Sequence, residues 1–123
     1  MTQQASGQEL DFNPLVNTIL EKTKAGKLNW EATASDDTFI VSVGGETTLK
    51  LTMEAFETFD MYGQPETGHA PVLCLLDRKG RKLWEISSNQ VSGGLWTLYR
   101  QAQRIANKVD DRVAGLIEVL QKL

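Results

Sequence analysis

Four cations, Arg78, Lys79, Arg81 and Lys82, crowd around Gly80 between two apolar runs. Farther along, Arg100, Arg104, Lys108 and Arg112 recur at a spacing that sets them on one slowly drifting helical stripe. Side chains of this kind neutralise phosphates. Arg78, Lys79, Arg81, Lys82, Arg100, Arg104 and Lys108 are therefore the candidate nucleic-acid-binding residues. Two features count against them. The 123-residue chain has a formal net charge of -3, whereas nucleic-acid binders generally carry a positive balance. Asp110, Asp111 and Glu118 also sit among the helical cations and reduce their field. A charged hairpin tip, which discourages edge pairing, and a solvated helix face explain the same residues without a ligand.

Other chemistries find less support. There is one histidine, His69, and one cysteine, Cys74. Structural zinc takes about four such ligands, and no EF-hand spacing surrounds Asp36-Asp37 or Asp110-Asp111. No metal or cofactor is expected. Cys74 lies in an apolar strand with no neighbouring base, which is the setting of a buried structural thiol. The chain has no G-x-S-x-G elbow and no P-loop lysine after "VGGETT". "SGGLW" precedes a helix, where glycine is simply permissive. An enzyme reading would need a site assembled from distant residues, with His69 as its base, and it ranks last.

The elements that would position these residues follow from periodicity. Asn13-Pro14 marks a helix start with Asn13 as the cap, and Leu15, Val16, Ile19 and Leu20 form one apolar stripe. Gly26 suits the residue just past its end, and Leu28 and Trp30 turn the chain back onto a core. "EATASDD" reads as loop. From Thr38 the period becomes two, and "GGE" joins two half-buried strands into a hairpin. The segment "EAFETFDMYGQPETGHA" is ambiguous: Phe56, Phe59, Met61 and Tyr62 fit a longer strand or a loose helical turn. Gln64 to Ala70 reads as loop and as the favoured place for a binding surface. "PVLCLLD" and "RKLWEI" are strands around a type I turn closed by a left-handed Gly80. Period two places Trp84 on the buried face with Ile86.

The apolar positions from Leu95 to Leu120 share one helical face, in one long helix or in two with a break between Asn107 and Asp111. Gly115 within it suggests close packing. The expected fold is α+β: a four-stranded, or five-stranded, antiparallel meander with an N-terminal helix and a long or broken C-terminal helix on one face. A flexible tail, 1–9, precedes a single domain, 10–123.

The segments "GKLNW" (Gly26, Lys27, Leu28 and Trp30) and "LYRQA" (Leu98, Tyr99 and Ala102) resemble those of small bacterial proteins of unknown function with this layout. The resemblance spans most of the chain after the tail and implies architecture without an activity. A likeness in topology alone links four strands plus a helix to PUR-repeat and related single-strand binders. The chain lacks their basic excess.

These features favour a non-catalytic protein-interaction domain, of adaptor, chaperone, immunity or antitoxin type. Its partner would be another protein or a second copy, since a sheet has edges to cover. Candidate interface residues are Phe56, Phe59, Met61, Tyr62 and His69, with the free sheet face as the other surface. The start of the chain carries no signal-peptide pattern, and no apolar run approaches the roughly 20 residues of a membrane span. The expected compartment is the cytoplasm.

Overall fold

α1 (Asn13–Lys24) opens the fold in the computed structural model, which describes residues 10–91 and 93–123. The expected tail, 1–9, lies outside the described residues. The cap of α1 differs from expectation. Phe12 is the N-cap, and Asp11 Oδ1 accepts from the Asn13 amide at 3.0 Å and from its side chain at 2.8 Å. A carboxylate is the stronger acceptor for an orphan amide, and its charge suits the positive helix end. At the other end the Gly26 amide reaches Thr23 O and the Lys27 amide reaches Lys22 O, with Gly26 at φ 75°. This double bond pattern ends the helix as expected. Trp30 then folds back and donates Nε1–H to Thr23 Oγ1 at 3.0 Å, so the one polar atom of a buried indole is satisfied.

Five strands follow as a plain meander: β1 (Glu31–Ala32), β2 (Thr38–Val43), β3 (Thr47–Phe59), β4 (Pro65–Leu76) and β5 (Lys82–Ser87). Every neighbour pair is antiparallel, in the order β1-β2-β3-β4-β5. Two segments expected as loop prove to be strand. Glu31 and Ala32 pair with Ile40 and Phe39, which makes β1 the fifth strand. Pro65 to Ala70 belong to β4 and pair with Phe59 back to Glu54. Glycine, proline and charge make 64–70 look irregular, but its partner lies next to it in sequence and zips onto it.

Register decides the core. The rows Phe39–Leu51–Leu73–Ile86 and Val41–Leu49–Leu75–Trp84 run across the sheet on one face. A 3₁₀ turn (Ser88–Gln90) leads from β5 into α2 (Gly94–Ala106), whose Leu95, Leu98, Tyr99 and Ala102 are buried. Tyr99 sets its ring edge-on to Phe39, with centroids 5.5 Å apart, and donates its hydroxyl to Asp37 O at 2.7 Å. α1 lies beside α2. A Cβ at Gly94 would stand 3.0 Å from Val16, so the glycine lets the two backbones approach. The later residues Thr23, Lys24, Gln101 and Arg104 share one cleft. The helices therefore run side by side in the same direction over one sheet face, an α+β architecture with an open sheet.

The C-terminal helix is broken, the second of the two forms expected. Asn107 caps α2, Lys108 turns through φ 53°, and α3 (Val109–Gln121) begins. The packing on the sheet belongs to α2, and no residue of α3 is buried. Beyond its own helix, no atom of the described residues lies within 4 Å of where a Gly115 Cβ would be, so the close packing expected there does not occur among them.

Candidate interaction surface

β3 and β4 outrun their neighbours. β2 pairs with β3 only as far as Thr52, and β5 pairs with β4 only from Val72. Seven further pairs, Met53↔Pro71 to Phe59↔Pro65, join β3 to β4 alone. At ~3.4 Å per residue this two-stranded ribbon extends roughly 20 Å past the sheet. All five candidate interface residues, Phe56, Phe59, Met61, Tyr62 and His69, lie on it.

Local chemistry shapes the ribbon. At its tip Asp60 Oδ1 accepts from the Tyr62 amide at 2.8 Å and the Gln64 amide at 2.9 Å. The Asp60 amide donates to Gln64 O, and Gly63 at φ 77° donates back to Asp60 O. The tip side chains are left in water: Phe59 is 69% exposed, Met61 86% and Tyr62 79%. Farther down, Phe56 lies directly across from Gly68. A Cβ on Gly68 would fall 2.5 Å from the Phe56 ring, so the aromatic covers a backbone that carries no side chain of its own. His69 is exposed opposite Ala55. Residues 53–71 contain Glu54, Glu57, Asp60 and Glu66 and no lysine or arginine. The ribbon is thus both apolar and acidic.

The basic turn between β4 and β5 is built the same way. Asp77 Oδ1 accepts from the Lys79 and Arg81 amides, both at 2.9 Å, and Gly80 sits at φ 84°. These donors, the Arg81 amide first, hold the Asp77 carboxyl below the usual aspartate range. Its cations have acidic neighbours at hand. Arg78 faces Glu46 at 3.7 Å, Arg81 pairs with Asp77 at 2.9 Å, and Lys82 pairs with Glu85 at 3.0 Å. Lys79 is exposed.

The helical cations lie elsewhere. Arg100 stacks over Trp96 at 5.6 Å, and Arg104 pairs with Asp110 at 2.7 Å. Lys24, Arg104 and Lys108 line a cleft with Asp110 and Asp111, so two carboxylates offset part of the positive charge. The contacts of the hairpin group and of the helical group share no residue.

The sheet face away from the helices is polar. It presents the rows Ser42–Thr48–Leu76–Lys82 and Ile40–Lys50–Cys74–Glu85, and Thr38 and Thr52 join their hydroxyls at 2.9 Å. Cys74 is buried on this side beneath its charged neighbours, with Sγ 3.8 Å from Glu85 Oε1. Desolvation, and then the Glu85 charge, push its thiol up, which is the reverse of what a nucleophile needs.

Trp84 departs from expectation. It shares the core face with Ile86, yet it is 54% exposed while Ile86 is fully buried. α2 covers the Ile86 row. The Trp84 row meets Phe12 instead, with ring centroids 6.3 Å apart. With Leu10, Phe12, Leu75, Asn89 and Gln90, Trp84 lines an open groove of about 850 Å³.

Among the described residues no group of three or more His, Cys, Asp or Glu side chains is placed to hold a metal ion. No helix among them is long and apolar enough to cross a membrane. The ribbon's extent was missed from sequence, although a signal was present: "DMYGQ" and "DRKGR" share their aspartate and glycine positions, and both are hairpin turns. No protein-family model, no curated protein and no solved structure matches this chain.

Proposed function

We propose that this chain is a non-catalytic protein-interaction domain, adaptor-, chaperone- or antitoxin-like, that holds its partner through the β3–β4 ribbon. The observation that carries this reading is the exposure of Phe59, Met61 and Tyr62 together at the end of a projecting arm. Aromatic residues and methionine are the side chains enriched in protein interfaces. The four ribbon carboxylates, without a cation among them, favour a partner whose apolar groove is rimmed by lysine or arginine. The polar free face of the sheet is the weaker candidate. The nucleic-acid reading loses ground because acidic side chains offset Arg78, Arg81, Lys82 and Arg104 locally. A free, buried thiol suits a reducing compartment such as the bacterial cytoplasm.

The test exchanges the two tips. Met61→Arg with Tyr62→Lys gives the ribbon a basic tip, and Arg78→Met with Lys79→Tyr makes the reciprocal change. Immobilised wild type and the reciprocal variant should retain the same host protein, and the ribbon variant should lose it at least tenfold. Loss in the reciprocal variant alone, or retention of a short oligonucleotide at low salt that falls steeply as salt rises, would move the function to the basic turn.

A further inference from the structure

We propose that α3 is a dimerisation helix that packs, parallel and in register, against the α3 of a second copy of this chain. This surface is separate from the ribbon. α3 buries no residue, and Val113, Leu116, Ile117, Val119 and Leu120 are each about half exposed, from 49% to 59%. A helix of 13 residues without tertiary cover is marginal in water, so a stable α3 calls for a partner. Its departure from α2 is set at the left-handed Lys108. The Arg104–Asp110 pair and the bond from Arg112 Nε to Asn107 O, at 3.0 Å, brace that corner.

The stripe has the spacing of a helix that faces a helix. Val109, Val113, Leu116, Leu120 and Leu123 alternate steps of four and three, the a and d positions of a heptad. Val113 and Leu120 fall at a, and Val109, Leu116 and Leu123 at d; valine at a followed by leucine at d, as at Val113 and Leu116, suits two parallel strands. The flanks agree. Asp110 and Ile117 occupy e, and Arg112 and Val119 occupy g. In a parallel pair a g residue faces the e residue five positions ahead on the other copy, which lays the aliphatic stem of Arg112 along the second copy's Ile117. The exposed aliphatic side chains offer roughly 500 Å² per copy, or about 1,000 Å² for the pair, the size at which specific interfaces begin. A reversible dimer with micromolar affinity is expected.

Sedimentation of the full chain from low to high micromolar concentration should show the mass doubling. Leu116→Glu with Leu120→Glu should weaken association at least tenfold and leave the near-ultraviolet dichroism of the folded body unchanged, because neither side chain is buried. The tip variant Met61→Arg/Tyr62→Lys should dimerise as wild type does, so a failed ribbon and a failed α3 give different results. Leu123→Cys in a Cys74→Ser background should oxidise to a covalent dimer. A wild type that stays monomeric, a dimer indifferent to the glutamates, or a dimer that does not cross-link at position 123 would overturn the proposal.

Discussion

At Asp60–Gln64 and at Asp77–Arg81 an aspartate Oδ1 accepts from the amides two and four residues ahead, and a left-handed glycine closes the turn. One turn displays Met61 and Tyr62, and the other displays Arg78 and Lys79. One ends a ribbon with no third strand, and the other joins β4 to β5 beside the packed core. Aspartate and glycine determine the backbone of such a turn. Its central side chains point into water and are free to serve solubility in one place and contact in another. Surface chemistry therefore has to be read separately from turn type.

The largest expected difference between the two regions lies in what holds them. Leu73 is fully buried in a row between β3 and β5, whereas Phe56 lies over Gly68 on the two-stranded ribbon and is about half exposed. Leu73→Ala should lower unfolding free energy by about 3 kcal/mol in chemical denaturation. Phe56→Ala should lower it by less than about 1 kcal/mol, the scale of one cross-strand pair. Equal losses would mean that the ribbon is part of the cooperative core.

A smaller effect sharpens the same contrast. Gly63→Ala and Gly80→Ala both place a side chain at positive φ, at a local cost of about 1 kcal/mol. A two-stranded hairpin is marginal by itself, so the ribbon can open while the body stays folded. Hydrogen exchange should show Gly63→Ala lowering protection along the ribbon only, and Gly80→Ala lowering it across the sheet.

The smallest effect is electrostatic. Because its folded pKa is depressed, Asp77 contributes stability that is fully present above the unfolded aspartate pKa and is lost as pH falls through the lower folded value. Titration of the Asp77 side-chain carbon resonance should give a midpoint below that of a free aspartate. Asp77→Asn, which keeps an oxygen acceptor, should flatten the acid side of the stability profile.

Much of this was legible beforehand, and the failures share a cause. Gly26, Gly80, the Gly44-Gly45 hairpin and the break between α2 and α3 follow from residues within a few positions of each other. The extent of β4 was missed because Pro65, Gly68 and His69 look unlike strand until Phe59 to Ala55 are set beside them. Trp84 was misplaced because alternation says which face a side chain takes and not how far the covering helix reaches. Of the candidate surface, the residues Phe56, Phe59, Met61, Tyr62 and His69 were legible, but their projection from the sheet was not.

By itself the sequence determined the order of the helices and the four longer strands, how the Gly44-Gly45 and Gly80 hairpins close and which stripes are apolar, because turn chemistry and periodicity act over short distances along the chain. Leu98 and Leu116 sit in stripes that look alike in sequence, yet Leu98 is fully buried and Leu116 is 57% exposed. Only the tertiary structure decided that. Burial requires a second surface, and the one over Leu98 is brought there by sheet strands distant in sequence, whereas no element among the described residues closes over Leu116.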